Sequence, residues 1–256
     1  MKVATAFQHA GARVIQSDYY SDPTTSESRE IDVVATWQDD IDRILTQVSF
    51  TFECKSSRDK PWILFVSPDA RIAPPARVAQ RAGSSLARLA LWDLADNASL
   101  QSLPIFDLPI APAYGLKQAF SDKADICYGA IAGVAAATAA QANQPDFQDS
   151  QRGGYDILEV IFPVVVTDAR LFTALLKADG ELDIQEKTTG VLLWRNPVVN
   201  RPHTIIHVVS SIALAEFAET ARSSAESFLS LCRGELRASL HSAREKRIHA
   251  RALSRR

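Results

Sequence analysis

The stretch Ile44–Lys55, ILTQVSFTFECK, decides how this chain is read. From Gln47 onward polar and apolar residues alternate, and a period of two marks a β-strand with two unlike faces. Phe52 and Cys54 fall on one face, Glu53 and Lys55 on the other. Just upstream, Glu30–Trp37, EIDVVATW, is rich in β-branched residues and reads as the preceding strand, with DDID (39–42) as the turn between them. Alternation places Glu30 and Asp32 on one face and sends Ile31 and Val33 into the opposite layer. If the two strands pair, two or three carboxylates and one ammonium group meet on a single surface.

Working outward, residues 3–10 read as a helix closed by Gly11, a residue suited to the left-handed cap. A strand follows over 12–20, and the polar run SDPTTSES (21–28) reads as a loop. WILFV (62–66) fits either a short strand or a buried loop. Residues 75–95 are expected to be helical, with Arg77, Arg81 and Arg88 on one side. A second helix is expected over 122–142, where Gly129 and Gly133 would let it lie close to a sheet. ILEVIFPVVVT (157–167) is a continuous apolar run, suited to a strand buried on both faces. Asp168 is expected to cap a helix after it. A hairpin is expected over 181–195 beyond the Asp179–Gly180 turn, then a strand over 203–209. A long terminal helix would begin at Ser210 or Ser211 and break near Gly234.

That order gives one mixed α/β (α+β) unit spanning 1–256, with a core over about 1–176 and an αβ extension over about 177–256. The composition, 46% hydrophobic and 23% charged in 256 residues, excludes collagen-like, coiled-coil and wholly disordered chains. No apolar run is long enough to span a bilayer or to act as a signal peptide, so a soluble, cytoplasmic protein with no membrane partner is expected. The three cysteines are scattered and show no CxxC spacing, which fits reduced thiols rather than a disulfide frame or zinc knuckle. Charge is uneven. Residues 233–256 carry a local +6, which leaves −8 on the remainder of a chain whose net charge is −2. Such a tail suits either an anionic polymer or a solvated helix.

Crowded carboxylates repel one another, and a proton, a nearby cation or a bound divalent metal relieves them. Mg²⁺, with Mn²⁺ as a substitute, prefers hard oxygen ligands and takes one or two carboxylates. Asp32 and Glu53 could supply these, with the backbone carbonyl of Cys54 as a third ligand and Glu30 as an additional candidate. Lys55 would stand beside the attacking water. The chemistry implied is phosphodiester hydrolysis.

Asp32 followed by Glu53-Cys54-Lys55 at the end of the next strand resembles the D…(D/E)XK signature of the PD-(D/E)XK nuclease superfamily. The order of elements resembles that family's restriction-endonuclease-like αβββαβ core with its mixed central sheet, here extended by a C-terminal hairpin, strand and long helix. The resemblance implies a Mg²⁺-dependent nuclease acting on nucleic acid, DNA above all, with Asp32 and Glu53 on the metal and Lys55 assisting the water. A homodimer is compatible with it. Two features depart from the family: Ile31 stands in place of the name-giving proline, and residues 1–11 contain no acid, Gln8 being the nearest polar residue. The alternative is a catalytically inactive nuclease-fold protein serving as a nucleic-acid-binding or assembly module.

Other motifs carry less. His203 and His207 in HTIIH lack the glutamate of HExxH, and in a strand they lie about 13 Å apart, so they read as core or rim residues. Ser56 and Ser57 could touch a phosphate or simply end the strand. Tyr19 and Tyr20 could stack on bases, although half-buried strand aromatics are commoner. Arg58, Lys60, Arg71, Arg77, Arg81 and Arg88 could flank an acidic site or lie on a solvated surface. GxSxG, P-loop and GxGxxG patterns are absent.

Overall fold

Val48, Phe50 and Phe52 project from one face of the strand Ile44–Lys55 (β3) and are almost fully buried. Phe7 of the helix Lys2–His9 (α1) meets the Phe52 ring at 4.7 Å, and Phe50 stacks on Phe162 at 5.0 Å. The opposite face of β3 carries Ser49, Thr51, Glu53 and Lys55 and lies against the helix Ile126–Ala142 (α5). One strand thus separates an aromatic layer from a polar one. The computed structural model describes residues 1–22, 26–57, 59–68, 72–121, 126–144, 147–148, 155–195 and 204–253. Arg58, Arg71 and His203 lie outside the described residues.

Strands Arg13–Ser21 (β1), Ser28–Ile41 (β2) and β3 form an antiparallel meander. The β2–β3 turn is narrower than DDID: Ile41 pairs with Ile44, and Asp42 and Arg43 both take positive φ, 53° and 64°, as a two-residue hairpin turn requires. The chain then adds Trp62–Val66 (β4), the helix Pro74–Ala79 (α2), Ala82–Gly83 (β5), the helices Ser85–Asp93 (α3) and Ala98–Gln101 (α4), and Ala113–Gln118 (β6) before α5. After Phe147–Gln148 (β7), Tyr155–Thr167 (β8) lies parallel to β3 with Ile44 level with Asp156 and Lys55 level with Thr167. Leu171–Leu176 (β9), Leu182–Lys187 (β10), Thr189–Trp194 (β11) and Thr204–Ser210 (β12) complete a mixed sheet, ordered β1-β2-β3-β8-β12-β11-β6-β4-β9-β10 with β5 and β7 paired to β8. The helices Leu214–Arg233 (α6) and Arg237–Leu253 (α7) close the chain, separated at Gly234. The result is an α/β fold, with α1, α3 and α6 on the aromatic face and α5 on the polar one.

Several sequence expectations are corrected here. The helix expected over 75–95 is broken, because Ala82 and Gly83 pair with Ile161 and Val160, and Ser84 then caps α3 by accepting from Ala87 N at 3.3 Å. An added Cβ at Gly83 would collide with the Glu159 carbonyl, so only glycine allows that approach. WILFV is a strand. Asp168 caps no helix, since β9 follows it; its carboxylate accepts from Ser56 Oγ at 2.9 Å and Ser57 N at 2.6 Å. The hairpin expected over 181–195 does not form. The Asp179–Gly180 turn joins β9 to β10, while β11 pairs with β12 and touches β6. Strand β6 was not foreseen.

The basic tail is largely committed to the protein itself. Arg233 bonds Asp39, Arg237 and His241 hold Asp42, Arg244 and Arg247 hold Asp156, and Lys246 holds Asp93. The Asp42 carboxyl is pulled down to about 2, chiefly by the Arg237 hydrogen bonds and then by His241. Arg81 is no surface residue: it is 2% exposed, with its guanidinium over the rings of Phe106 and Phe162. Arg77 bonds Asp107. Among the described residues no helix is long and apolar enough to cross a membrane.

His207 sits in the aromatic layer between Phe162 and Phe217, a core histidine whose Nε2 has no partner among the described residues. Burial, aided by Arg81, pushes its pKa down from 6.5 to about 3. Its contribution is therefore complete above pH 6.5 and is lost as pH falls toward 3, because the unfolded chain takes up the proton first. Urea midpoints are expected to drop across that window, with a slope of up to about 1.4 kcal/mol per pH unit from this residue alone. The slope should flatten in His207→Phe.

Candidate functional site

The β2–β3 ladder runs from Ile41–Ile44 up to Val33–Phe52 and stops there. Asp32 would come next, opposite Glu53, but β2 leaves the ladder at that point, and the β1–β2 register likewise skips Ser17, whose φ is +53°, and Asp32. Alternation fails across this break. Ile31 packs with Tyr20, Val34 and Ala137 under α5, whereas Val33 packs on the opposite face with α1. Ile31 and Val33 were expected in one layer. The kink divides them.

Once freed from the ladder, the Asp32 carboxylate turns onto the edge of β3 and its Oδ2 accepts from Cys54 N at 2.6 Å. A strand residue presents its N–H and C=O along one edge, so the Cys54 carbonyl faces the same gap as Asp32. The Cys54 thiol belongs to the other face, against the apolar core, and burial pushes it up to about 12. It is no nucleophile at neutral pH.

Glu53 and Lys55 share the face that α5 covers, and Lys55 Nζ lies 2.5 Å from Glu53 Oε1. Gly133 of α5 stands directly over this carboxylate: a Cβ there would lie 3.3 Å from Glu53 Oε2. A larger residue would crowd Oε2. At Gly129 an added Cβ would meet nothing within 4 Å, so of the two glycines only Gly133 serves a close approach. Tyr20, 8% exposed, reaches across from β1 and donates to the Gly133 carbonyl at 3.4 Å. Each carboxylate therefore has one oxygen engaged within the protein. Asp32 Oδ1 and Glu53 Oε2 make no hydrogen bond to any described residue.

The electrostatics follow from this crowding. Burial is the largest influence on Glu53 and raises its pKa; Lys55 works against it, while Asp32 and Glu30 add to the rise. For Lys55, burial pulls the pKa down, but the hydrogen bond and charge of Glu53 outweigh it and the net direction is up. The ammonium stays charged, beside a carboxyl that gives up its proton reluctantly. Glu30 is exposed and acts from a distance through its charge.

Below Lys55 the chain end is tied down. Ser56 and Ser57, read from the sequence as phosphate contacts or strand ends, bond Asp168 at the end of β8. Ser57 Oγ also receives Gln118 Nε2 of β6, and Lys60 Nζ is held by the Phe120 carbonyl at 2.7 Å. Gly133, Tyr20 and Asp168 were each named from the sequence in another role, and their places beside Glu53, over Gly133 and under Ser56–Ser57 were not. Only their long-range contacts reveal them.

The donor set available is two carboxylates with one free oxygen each and a carbonyl on the same edge, all hard oxygens, and these fit Mg²⁺ or Mn²⁺. Among the described residues no group of three or more His, Cys, Asp and Glu side chains gathers to hold a metal ion, so the side-chain donors here are the two carboxylates alone. Two substitutions test the electrostatics without any ligand. In a carbon-detected NMR titration, Lys55→Ala is expected to raise the Glu53 pKa further, since an opposing cation is removed, and Asp32→Asn to lower it. Comparison with protein-family models, curated proteins and solved structures returns no match to this chain.

Proposed function

We propose that the protein is a Mg²⁺-dependent nuclease of restriction-endonuclease-like fold that hydrolyses phosphodiester bonds, DNA being the preferred substrate. One observation carries the reading: at the carboxyl end of β3, Asp32 uses one oxygen on Cys54 N and Glu53 uses one on the Lys55 ammonium, which leaves each carboxylate a second oxygen without a hydrogen bond among the described residues. The surrounding order supports it. A helix, an antiparallel three-strand meander, a crossover containing α5 and a strand parallel to the third is the arrangement that the D…ExK resemblance implies.

In this reading Asp32 Oδ1, Glu53 Oε2 and the Cys54 carbonyl hold the cation. When bound, the metal supplies Lewis acidity, making water a stronger acid and offsetting charge that develops on the phosphoryl oxygens. Lys55 exchanges its bond to Glu53 for the attacking water, which it orients, and its charge stabilises the anionic transition state. Glu53 must be ionised to take part. Because its metal-free pKa is raised, protons should compete with the cation for Glu53, and the Mg²⁺ concentration needed for activity should rise as pH falls.

A second reading, a nuclease-fold protein that binds nucleic acid or assembles without cutting it, draws on two observations. Helix α1 presents Gln8 and no acid, and most of the described basic tail is spent on internal aspartates. Plasmid, linear duplex and single-stranded substrates incubated with Mg²⁺ or Mn²⁺ decide between the two. The nuclease reading expects cleavage that Lys55→Ala reduces by about a hundredfold or more while circular dichroism and binding persist. Salt-sensitive binding with no cleavage at any metal concentration would instead establish the non-catalytic module.

A further inference from the structure

Beside the candidate site, below the C-terminal end of α5, a groove of about 260 Å³ opens between Ile15, Ile31, Val34 and Ile157. Glu159 of β8 forms its floor. The carboxyl Oε1 accepts from Ser49 Oγ at 2.5 Å and from Gln141 Nε2 at 2.7 Å, and Gln141 Oε1 accepts from Thr51 Oγ1 at 2.6 Å. These bonds lock the side chain in place and use a single oxygen. Oε2 makes no hydrogen bond to any described residue and is not sealed from solvent. An acceptor held rigid in a groove of mixed lining, where Arg13, Asp18, Gln47 and Gln144 stand beside the apolar residues, with nothing to accept from, is an arrangement that a ligand donor would complete.

The groove adjoins the site. Tyr20 lines it and also bonds the carbonyl of Gly133, the residue that stands over Glu53. Ser49, which holds Glu159, lies on the same face of β3 as Glu53, four residues and so about 13 Å along the strand. Tyr19, 66% exposed, stands at the rim. The groove joins apolar surface from Ile15, Ile31 and Ile157 to Glu159 Oε2, an acceptor that a purely aliphatic group would leave unmet, and Arg13 in its lining can meet a backbone phosphate. A nucleobase suits both features, with flat apolar faces for the isoleucine and tyrosine walls and an edge bearing N–H donors.

We propose that the groove receives one nucleobase of the bound strand, turned out of its stack, with an edge N–H donated to Glu159 Oε2. The inference rests on the nuclease reading and adds to it a preference for substrates whose base beside the cut can be extruded. It predicts faster cleavage where that base is mismatched or single-stranded, because unstacking then costs less.

The test uses the full chain with Ca²⁺ in place of Mg²⁺, so that the bound substrate stays intact. Oligonucleotides carry 2-aminopurine, a base dimmed by stacking, at successive positions on either side of the cleaved bond. One position is expected to brighten severalfold on binding, and Glu159→Gln, which can keep the Ser49 and Gln141 bonds but offers N–H where Oε2 was, should weaken binding on the order of tenfold and abolish the signal. Ile15→Trp, on a wall that is 41% exposed and tolerant of bulk, should block entry and remove the signal by a separate route. If wild-type protein cuts but no position brightens, or both variants leave the signal unchanged, this inference is wrong and the nuclease reading stands. If wild-type protein binds no oligonucleotide, both are wrong.

Discussion

Parallel pairing of β3 with β8 is the constraint on which the remaining structure depends. Two parallel neighbours cannot be joined by a tight turn, so everything from Ser56 to the start of β8 must act as crossover, with α3 packing on one face of the sheet and α5 on the other. The ladder also fixes positions along the strands. It sets Glu53 level with Val165 and Lys55 level with Thr167, so the charged end of β3 lies where β8 gives way to Asp168. Pro163 shows how closely the sheet is fitted: it falls between the last β5 partner, Ile161, and the first β12 partner, Val164, where that flank of β8 is unpaired and a missing N–H costs little.

Because β3 is central, both of its faces are covered, and its polar face has to be satisfied from within. Ser49 and Thr51 are met by Glu159 and Gln141, and Thr36 contacts Ser49 across the β2 ladder at 3.0 Å. Glu53 is met by Lys55. The polar row thus changes character along one strand, from neutral side chains locked by hydrogen bonds to a charged pair at the open end where β2 has peeled away. Local unpairing is what sets Asp32 apart: the ladder stops at Val33, and its carboxylate is thereby free to turn onto Cys54 N.

Legibility in the sequence followed the range of the interactions. β3 declared itself by period two and β8 by its unbroken apolar run, since strand patterns are set by which face is buried. Gly11 marked the end of α1 because its φ of +80° is a local demand. The partner of β11 was not legible: TGVLLW is compatible with pairing to β10 or to β12, and the choice falls to β12, a buried seven-residue strand that begins ten residues after Trp194. Helix 75–95 failed for a similar reason, as Ala82 and Gly83 are captured by β8 some 78 positions later. At the site, Asp32, Glu53 and Lys55 could be named from spacing. The kink that separates Ile31 from Val33, the glycine over Glu53 and the acid beneath Ser49 could not, because each is defined by a residue distant in sequence.

The charge distribution belongs to the same account. The chain places its acids on the β2–β3 turn and the start of β8, and its C-terminal cations on α6 and α7, so attraction between them clamps the terminal helices across the sheet at the end remote from Glu53. Exposed pairs of this kind add little stability individually, but Asp156 is 6% exposed and is held by Arg244 and by Arg247, itself 4% exposed, so loss of Asp156 would remove the carboxylate from a buried guanidinium. Cations drawn to that end are unavailable at the other. At the Glu53 end, burial chiefly raises the Glu53 pKa, Lys55 opposes the rise, and the charges of Asp32 and Glu30 add to it. In the proposed reading, Asp32 and Glu53 would offer a hard divalent cation oxygens short of positive charge, and Lys55, once released from Glu53, would be left to orient water.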